Sequence, residues 1–364
     1  MIPLFEPHFS GNEWLYVKEC LDSGWVSSAG KKIEEFEQVI ARYTGSPFAI
    51  ATVNGTAALH LALLACGVKP GDRVLIPNLT FVATANAVLY TGAIPVLVDV
   101  DPFTWQMDAR LVEEWLQKQT GAIPSALIVT HALGNMGEIE KFAEICHHYG
   151  ITLIEDAAEA LGTRKNKNHA GTFGKVAVLS FNGNKIITTG GGGMLLTGDA
   201  TLARKLRHLS TQAKADPDEY FHDEVGYNYR LPNILAALGL GQMEQLDRFL
   251  EKKRADAELY YSLLTDQPEV TGFQETLPGV IPNHWLFTVK LKEKISARQR
   301  LAAANIQSRS LWVPLHQLPA YQNCEYITTY NEAGNLYQTC LSLPGSVSLQ
   351  ETQIREICEI IINP

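Results

Sequence analysis

Short apolar runs alternate with helix-like segments from residue 47 to residue 156, and this alternation most constrains the fold. The predicted strands cover residues 48–53, 73–77, 94–100, 126–130 and 151–155, and the helices between them cover residues 57–66, 80–90, 111–118 and 138–149. Short, continuous apolar strands separated by helices are typical of an α/β fold with a mostly parallel sheet covered on both faces. Right-handed crossovers place the carboxyl ends of such strands on one edge, where ligands bind.

The rest of the chain predicts a smaller second domain. Residues 212–224 are polar and acidic and are expected to form an exposed excursion, and residues 234–264 are predicted to form one long connecting helix. A strand at 285–291 and helices at 296–304 and 351–362 then indicate an α+β arrangement. We therefore expect a large domain over residues 1–245, including the N-terminal segment, and a small domain over residues 246–364.

Composition excludes several classes of protein. The formal net charge of -9 argues against a general nucleic-acid-binding surface. No apolar run reaches the roughly 20 residues of a membrane span, and the N-terminus lacks the pattern of a signal peptide. The six cysteines show no CxxC or CxxH spacing, so no metal site is predicted. A cytoplasmic protein without membrane or nucleic-acid partners is the expectation.

One lysine stands between two apolar runs in the segment 180–193. A buried strand is predicted at 175–181, and it ends at the turn sequence Asn-Gly-Asn of residues 182–184. Lys185 follows, and two isoleucines, two threonines and four glycines separate it from a second strand at 194–197. A lysine held in this way can form a Schiff base with an aldehyde, and the glycines would let a bulky group approach the backbone. The alternative is a solvated turn lysine in a flexible glycine hairpin.

Asn54, Gly55 and Thr56 lie where a predicted strand gives way to a predicted helix. Backbone N–H groups at a helix N-terminus bind anions, and a glycine there lets a phosphate approach. The alternative is a simple N-cap by Asn54, and both can hold at once.

Three carboxylates lie at or just after the end of the predicted strand at 151–155: Glu155, its last residue, then Asp156 and Glu159. Carboxylates at the end of a buried strand cost free energy unless they have partners, so one of them is a candidate to hold a cationic ring nitrogen. The alternative is an acidic cluster at a helix N-terminus, which the helix dipole favours.

Several further residues are candidates for a binding site. Phe81 lies at a strand-to-helix junction, where an aromatic ring can stack on a flat cofactor, although packing in the core is the alternative. His131, Arg230 and His316 could each serve a substrate, but no spacing argument supports any of them.

Taken in order, these motifs resemble those of the DegT/DnrJ/EryC1/StrS sugar-nucleotide aminotransferases. The matching segments are residues 54–59, 77–84, 155–158, 180–193 and 226–230. Residues 2–30, with Gly-Trp-Val-Ser-Ser at 24–28, are most similar to the subgroup that makes bacillosamine- or legionaminic acid-type amino sugars. The resemblance implies a fold type I transferase dependent on pyridoxal 5′-phosphate. Its large domain would hold a mostly parallel, seven-stranded mixed sheet, with a smaller C-terminal α+β domain.

The resemblance also implies roles for individual residues. Lys185 would be the Schiff-base lysine, and Asp156 would pair with the pyridine nitrogen. The implied cofactor-binding residues are Gly55, Thr56, Ala57, Phe81, Asp156, Glu159, Ser180, Lys185 and Asn228. Asn228 would reach the cofactor phosphate of a neighbouring subunit, in a homodimer with shared active sites. Glu159 stands where many relatives carry His or Gln, and a carboxylate there would repel the ring oxygen unless it is protonated or turned away.

The reaction implied by the resemblance is transfer of an amino group from L-glutamate to a nucleotide-linked keto sugar. The expected acceptor is C4 of a UDP-linked 4-keto-6-deoxy-N-acetylhexosamine, in the biosynthesis of a bacterial surface glycan. The alternatives are a 3-keto-sugar aminotransferase, a sugar dehydratase and a cofactor-binding regulator without turnover. Relatives that dehydrate carry histidine in place of the lysine, so Lys185 argues against dehydration.

Overall fold

The computed structural model describes residues 1–216 and 218–363. The strands in this part of the chain are β1 (Phe48–Thr52), β2 (Arg73–Pro77), β3 (Ile94–Val98), β4 (Ala126–Thr130), β5 (Thr152–Asp156), β6 (Arg164–Lys165), β7 (Asn168–His169), β8 (Val176–Ser180), β9 (Gly193–Thr197), β10 (Val270–Phe273), β11 (Val280–Ile281), β12 (Thr288–Leu291), β13 (Arg309–Ser310), β14 (Tyr326–Ile327) and β15 (Cys340–Ser342). The α-helices are α1 (Glu13–Ser23), α2 (Lys31–Thr44), α3 (Gly55–Ala65), α4 (Ala83–Tyr90), α5 (Ala109–Gln117), α6 (Ile139–Tyr149), α7 (Ala200–Ser210), α8 (Asn233–Met243), α9 (Leu246–Leu264), α10 (Lys294–Ala303), α11 (Glu332–Thr339) and α12 (Glu351–Ile362).

The largest sheet has the strand order β1-β9-β8-β5-β4-β2-β3-β14. Its pairs are parallel except for the two that involve β9. The predicted α/β class and mostly parallel sheet are therefore confirmed. The seven expected strands are joined at one edge by an eighth, β14, which comes from the C-terminal part of the chain and pairs with β3. Two paired residues are too few to give a periodic signal in the sequence.

Helix α3 shows how the sequence sets the local structure. Asn54 is its N-cap, and the side chain of Asn54 accepts a hydrogen bond from the N–H of Ala57 at 2.8 Å. Nearly all of α3 is buried because its residues are apolar on every side, as in a helix covered by other elements. Its N-terminus is thereby held at the carboxyl edge of the sheet, next to the end of β1.

The predicted long helix is instead two helices, α8 and α9, which are separated at residues 244–245. The break coincides with Gln245, whose amide donates a hydrogen bond to Glu13 at 2.8 Å. Two glycines allow helix α8 to pack closely on the N-terminal helices. A Cβ on Gly239 would lie 2.7 Å from Phe36, and a Cβ on Gly241 would lie 2.7 Å from the backbone of Glu13.

The C-terminal part builds a four-stranded antiparallel sheet in the order β10-β12-β15-β13. A separate small sheet joins β11 to β6 and β7. The chain start is tied to this part of the protein through a bridge between Ile2 and Ile306. Among the described residues, no helix is both long and apolar enough to cross a membrane. The excursion at 212–224 is largely exposed, as predicted, in its described residues.

Candidate active site

A cavity of about 540 Å³ opens at the carboxyl edge of the main sheet. It is lined by residues that follow β1, β2, β4, β5 and β8 and by residues from the C-terminal part of the chain. The predicted site residues in the lining are Gly55, Thr56, Phe81, Asp156, Glu159, Ser180 and Lys185. The sheet edge therefore brings together predicted site residues that are up to 130 positions apart, as expected for a parallel α/β fold.

Lys185 lies in the loop between β8 and β9, and its side chain is only 13% exposed. Its N–H donates to the carbonyl of Asn182 at 3.0 Å, and the amide of Asn182 donates to Asn184 at 3.0 Å, which closes the predicted turn. The Nζ atom lies 3.4 Å from Glu159 Oε1 and 4.2 Å from the centre of the Trp285 ring. These contacts contradict the alternative of a solvated turn lysine.

The glycines after Lys185 have a different role from the predicted one. Gly190–193 do not line the cavity. A Cβ on Gly193 would lie 2.6 Å from the backbone of Asn54, and a Cβ on Gly192 would lie 2.2 Å from Thr189 Oγ1. The glycines thus let the start of β9 pack against the turn that precedes α3, rather than letting a cofactor approach the backbone.

Asp156 is a buried carboxylate in the cavity wall. Its Oδ2 accepts a hydrogen bond from the Thr84 hydroxyl at 2.7 Å, and its Oδ1 accepts one from the N–H of Ala158 at 3.2 Å. Burial raises the pKa of Asp156 above its ordinary value, although these hydrogen bonds and the charge of Lys185 oppose the shift. A cationic partner would stabilise its charged form. The residues after Asp156 form turns instead of a helix, which removes the helix-dipole explanation for the acidic cluster.

Glu155 has a structural role. Its carboxylate lies 2.9 Å from His131 Nε2 and accepts the backbone N–H groups of Gly171 and Gly174 at 2.7 and 2.6 Å. Burial raises the pKa of Glu155, but these hydrogen bonds outweigh burial and hold the pKa below its ordinary value. His131 is buried in this contact and does not line the cavity, so the structure does not support it as a substrate ligand.

Glu159 faces Lys185 from within the cavity wall. Its Oε2 accepts the N–H of Leu133 at 2.9 Å, and Leu133 adopts a left-handed backbone with φ of 60°. Burial raises the pKa of Glu159, while the ammonium of Lys185 lowers it. The carboxylate is therefore held between a backbone donor and a lysine. Its placement beside the cofactor ring oxygen stays a prediction.

The N-terminus of α3 and Ser180 form one side of the cavity. An added Cβ on Gly55 would lie 3.2 Å from Ser180 Cβ, so glycine is what lets these two residues come together. Among the described residues, no acceptor forms a hydrogen bond with the backbone N–H of Gly55 or Thr56. The N–H of Ala57 donates a hydrogen bond to the side chain of Asn54, and the role of Ala57 in binding a phosphate stays a prediction. Two free N–H groups and nearby hydroxyls match the needs of a phosphate.

Phe81 is 55% exposed, although it follows a buried strand. It lies in the cavity wall just before α4, and this position contradicts the core-packing alternative. An exposed ring at this place offers a face on which a flat heterocycle can stack.

Three other candidates lie away from the cavity. Arg230 is buried against Glu37 and also donates to the carbonyl of Ala51 at 3.3 Å, so it stabilises the fold. His316 contacts Asn78 at 2.8 Å and stacks on a tyrosine. Asn228 is exposed, and its predicted contact with a second subunit stays a prediction.

Sequence reasoning missed Trp285 and Arg309, which come from the C-terminal part. The indole N–H of Trp285 donates to the carbonyl of Asn184 at 2.6 Å, and the carbonyl of Trp285 accepts from Lys253 Nζ at 2.8 Å. Burial lowers the pKa of Lys253 to about 7. Trp285 thus connects the lysine loop to α9. Its only sequence signal was an aromatic residue at a predicted strand start.

These residues fit pyridoxal 5′-phosphate. The cavity offers an amine for the aldehyde at Lys185, a buried carboxylate for the ring nitrogen at Asp156 and an exposed ring at Phe81. Gly55 and Thr56 supply free N–H groups for the phosphate. Fold and site together therefore define a pyridoxal phosphate-dependent transferase.

The chain belongs to the DegT/DnrJ/EryC1/StrS aminotransferase family, whose sequence model matches residues 8–362. GDP-perosamine synthase of Caulobacter vibrioides is 41% identical over 369 residues, which cover 98% of this chain and 96% of that protein. GDP-perosamine synthase of Escherichia coli O157:H7 is 39% identical over 363 residues, with 99% and 97% covered. The crystal structure of S. venezuelae DesV matches with a TM-score of 0.90 and 31% identity, covering 96% of this chain and 93% of that one. The protein is a pyridoxal phosphate-dependent aminotransferase that acts on nucleotide sugars.

Proposed function

We propose that this enzyme transfers the amino group of L-glutamate to C4 of a nucleotide-linked 4-keto-6-deoxyhexose, in the biosynthesis of a bacterial surface glycan. The observation that carries the proposal is the placement of Lys185 and Asp156 in one cavity of a chain whose relatives make nucleotide-linked amino sugars. A cytoplasmic location is part of the same proposal and rests on the sequence.

Lys185 is the residue that moves protons in this proposal. When bound, pyridoxal phosphate supplies an electron sink for the carbon that loses its proton. The Nζ atom of Lys185 takes a proton from the amino-bearing carbon of L-glutamate and later returns one to C4 of the sugar. Glu159 Oε1, at 3.4 Å, and the Trp285 ring, at 4.2 Å, keep this amine inside the cavity. The Asp156 carboxylate would pair with the positively charged ring nitrogen of the cofactor.

Two nucleotides are candidates for the acceptor sugar. The sequence resemblance favours a UDP-linked N-acetylhexosamine. The synthases of C. vibrioides and E. coli O157:H7 are named for a GDP-linked product and are 41% and 39% identical to this chain. This similarity favours a GDP-linked 4-keto-6-deoxyhexose as the second candidate.

A substrate panel tests the proposed reaction. We expect the purified holoenzyme to aminate a UDP- or GDP-linked 4-keto-6-deoxyhexose with L-glutamate. For dTDP-linked keto sugars we expect a kcat/KM that is at least about tenfold lower than for that substrate. NMR of the product identifies the carbon that carries nitrogen. Nitrogen at C3 would favour the alternative of a 3-keto-sugar aminotransferase, and no amination of any sugar in the panel would contradict the proposal.

We also propose a homodimer with shared active sites, to which Asn228 contributes. Asn228 is exposed and does not line its own cavity, which is compatible with a contact to a second subunit. We expect sedimentation velocity to show a dimer, and Asn228→Ala to weaken binding of the cofactor about tenfold. A fully active monomer would contradict the shared site.

A further inference from the structure

Two cationic side chains line the cavity among the described residues, Lys185 and Arg309. Lys185 is already engaged by Glu159 and by the ring of Trp285. The guanidinium of Arg309 has no hydrogen-bond, ion-pair or aromatic partner within residues 1–216 and 218–363. Arg309 is therefore the one cation in the described cavity wall that is available to an incoming anion.

The backbone at Arg309 is fixed by strand pairing. Arg309 and Ser310 form β13, in which Arg309 pairs with Ser342 of β15. The hydroxyl of Ser342 in turn lies 2.8 Å from the hydroxyl of Thr288 in β12. A guanidinium carried by a paired strand loses little backbone entropy when it binds a ligand, because the strand is already ordered.

The charges in the cavity indicate that Arg309 binds an anionic part of the substrate. Lys185 is paired with Glu159, and the ring nitrogen of a bound cofactor would be paired with Asp156, so an anionic substrate needs a further cation. A nucleotide sugar carries its anionic charge on the diphosphate. The planar fork of an arginine donates paired hydrogen bonds to phosphate oxygens.

The size of the cavity indicates which part of the sugar nucleotide contacts Arg309. A cavity of about 540 Å³ has to hold the cofactor as well as the reacting hexose, so the nucleotide extends beyond it. The diphosphate joins the hexose to the nucleoside and therefore lies at the rim. Arg309 is exposed, as a residue at the rim must be, while Lys185 is buried deeper.

We propose that Arg309 binds the diphosphate of the nucleotide-linked sugar, an assignment that rests on the proposed function. The γ- and α-carboxylates of L-glutamate are the competing anions. L-glutamate is small enough to lie wholly within the cavity, whereas the exposed position of Arg309 fits the longer substrate. Arg309 therefore acts on the affinity for the sugar nucleotide rather than on the affinity for the amino donor.

The test compares Arg309→Gln with Arg298→Gln in the holoenzyme. Arg298 is an exposed arginine on α10 that does not line the cavity, so it controls for the loss of one positive charge. Isothermal titration calorimetry measures the Kd for UDP, GDP and dTDP. We expect Arg309→Gln to raise the Kd of the bound nucleotide at least about tenfold, Arg309→Lys to raise it less, and Arg298→Gln to change it less than about twofold.

Steady-state kinetics provide the second measurement. We expect Arg309→Gln to raise the KM for the keto sugar at least about tenfold more than the KM for L-glutamate. The opposite ratio, equal effects of the two glutamine variants, or no nucleotide binding by the unmodified enzyme would each overturn the assignment. Binding that depends on Arg309 in an enzyme that aminates no sugar would support the diphosphate site while contradicting the proposed function.

Discussion

Lys185→Ala is expected to abolish the absorbance of covalently bound pyridoxal phosphate and to lower turnover by about 10⁴-fold or more. The reason is that Lys185 supplies both the amine that joins the cofactor and the base that moves the proton. Its Nζ atom is held by Glu159 at 3.4 Å and by Trp285 at 4.2 Å, and no second lysine lines the described cavity wall. Absorbance spectra and a coupled assay measure the two effects.

Two further variants separate the chemistry of Lys185 from its charge. Lys185→Arg keeps a cation beside Glu159 but cannot form the covalent bond, so we expect it to be as inactive as the alanine variant. Lys175→Ala removes an exposed lysine just before β8, and we expect it to keep its colour and turnover. Full activity of either Lys185 variant would disprove the role of Lys185.

Much of the fold could be predicted because its strands are short, continuous and separated by helices. The strand β4 and the helix α12 were predicted with the bounds that the structure has. The break between α8 and α9 could not be predicted, because residues 244–245 include no glycine or proline. The break coincides with a contact of Gln245 with Glu13, which is far away in the chain. The two-residue strand β14 could not be predicted either.

Some residues of the candidate site could be predicted from the sequence, and others could not. The placement of Lys185, Asp156 and Phe81 in the cavity could be predicted because each lies at or just after the end of a strand of the main sheet, and parallel strands end at one edge. Trp285 and Arg309 could not, because they reach the cavity from the C-terminal part through tertiary packing. Neither residue has a local pattern that distinguishes it from a core aromatic or a surface arginine.

Asp156→Asn is the second variant with a large expected effect, a fall in the rate of transamination of about 10²-fold to 10⁴-fold. Asparagine has nearly the same shape and can still accept the N–H of Ala158, which lies 3.2 Å from Oδ1 in the native protein. It has no negative charge to hold a positive ring nitrogen. The variant should therefore fold and retain bound cofactor at Lys185 while the proton transfers slow.

The neighbouring carboxylate provides the contrast. Glu155→Gln alters a carboxylate that contacts His131 and the N–H groups of Gly171 and Gly174, so we expect a lower Tm as its main effect. Stopped-flow spectra with L-glutamate, measured beside thermal unfolding for both variants, distinguish a loss of rate from a loss of stability. If Asp156→Asn kept a near-native rate, Asp156 would be a buried structural acid like Glu155. The ring nitrogen would then have to find its counter-charge elsewhere in the cavity.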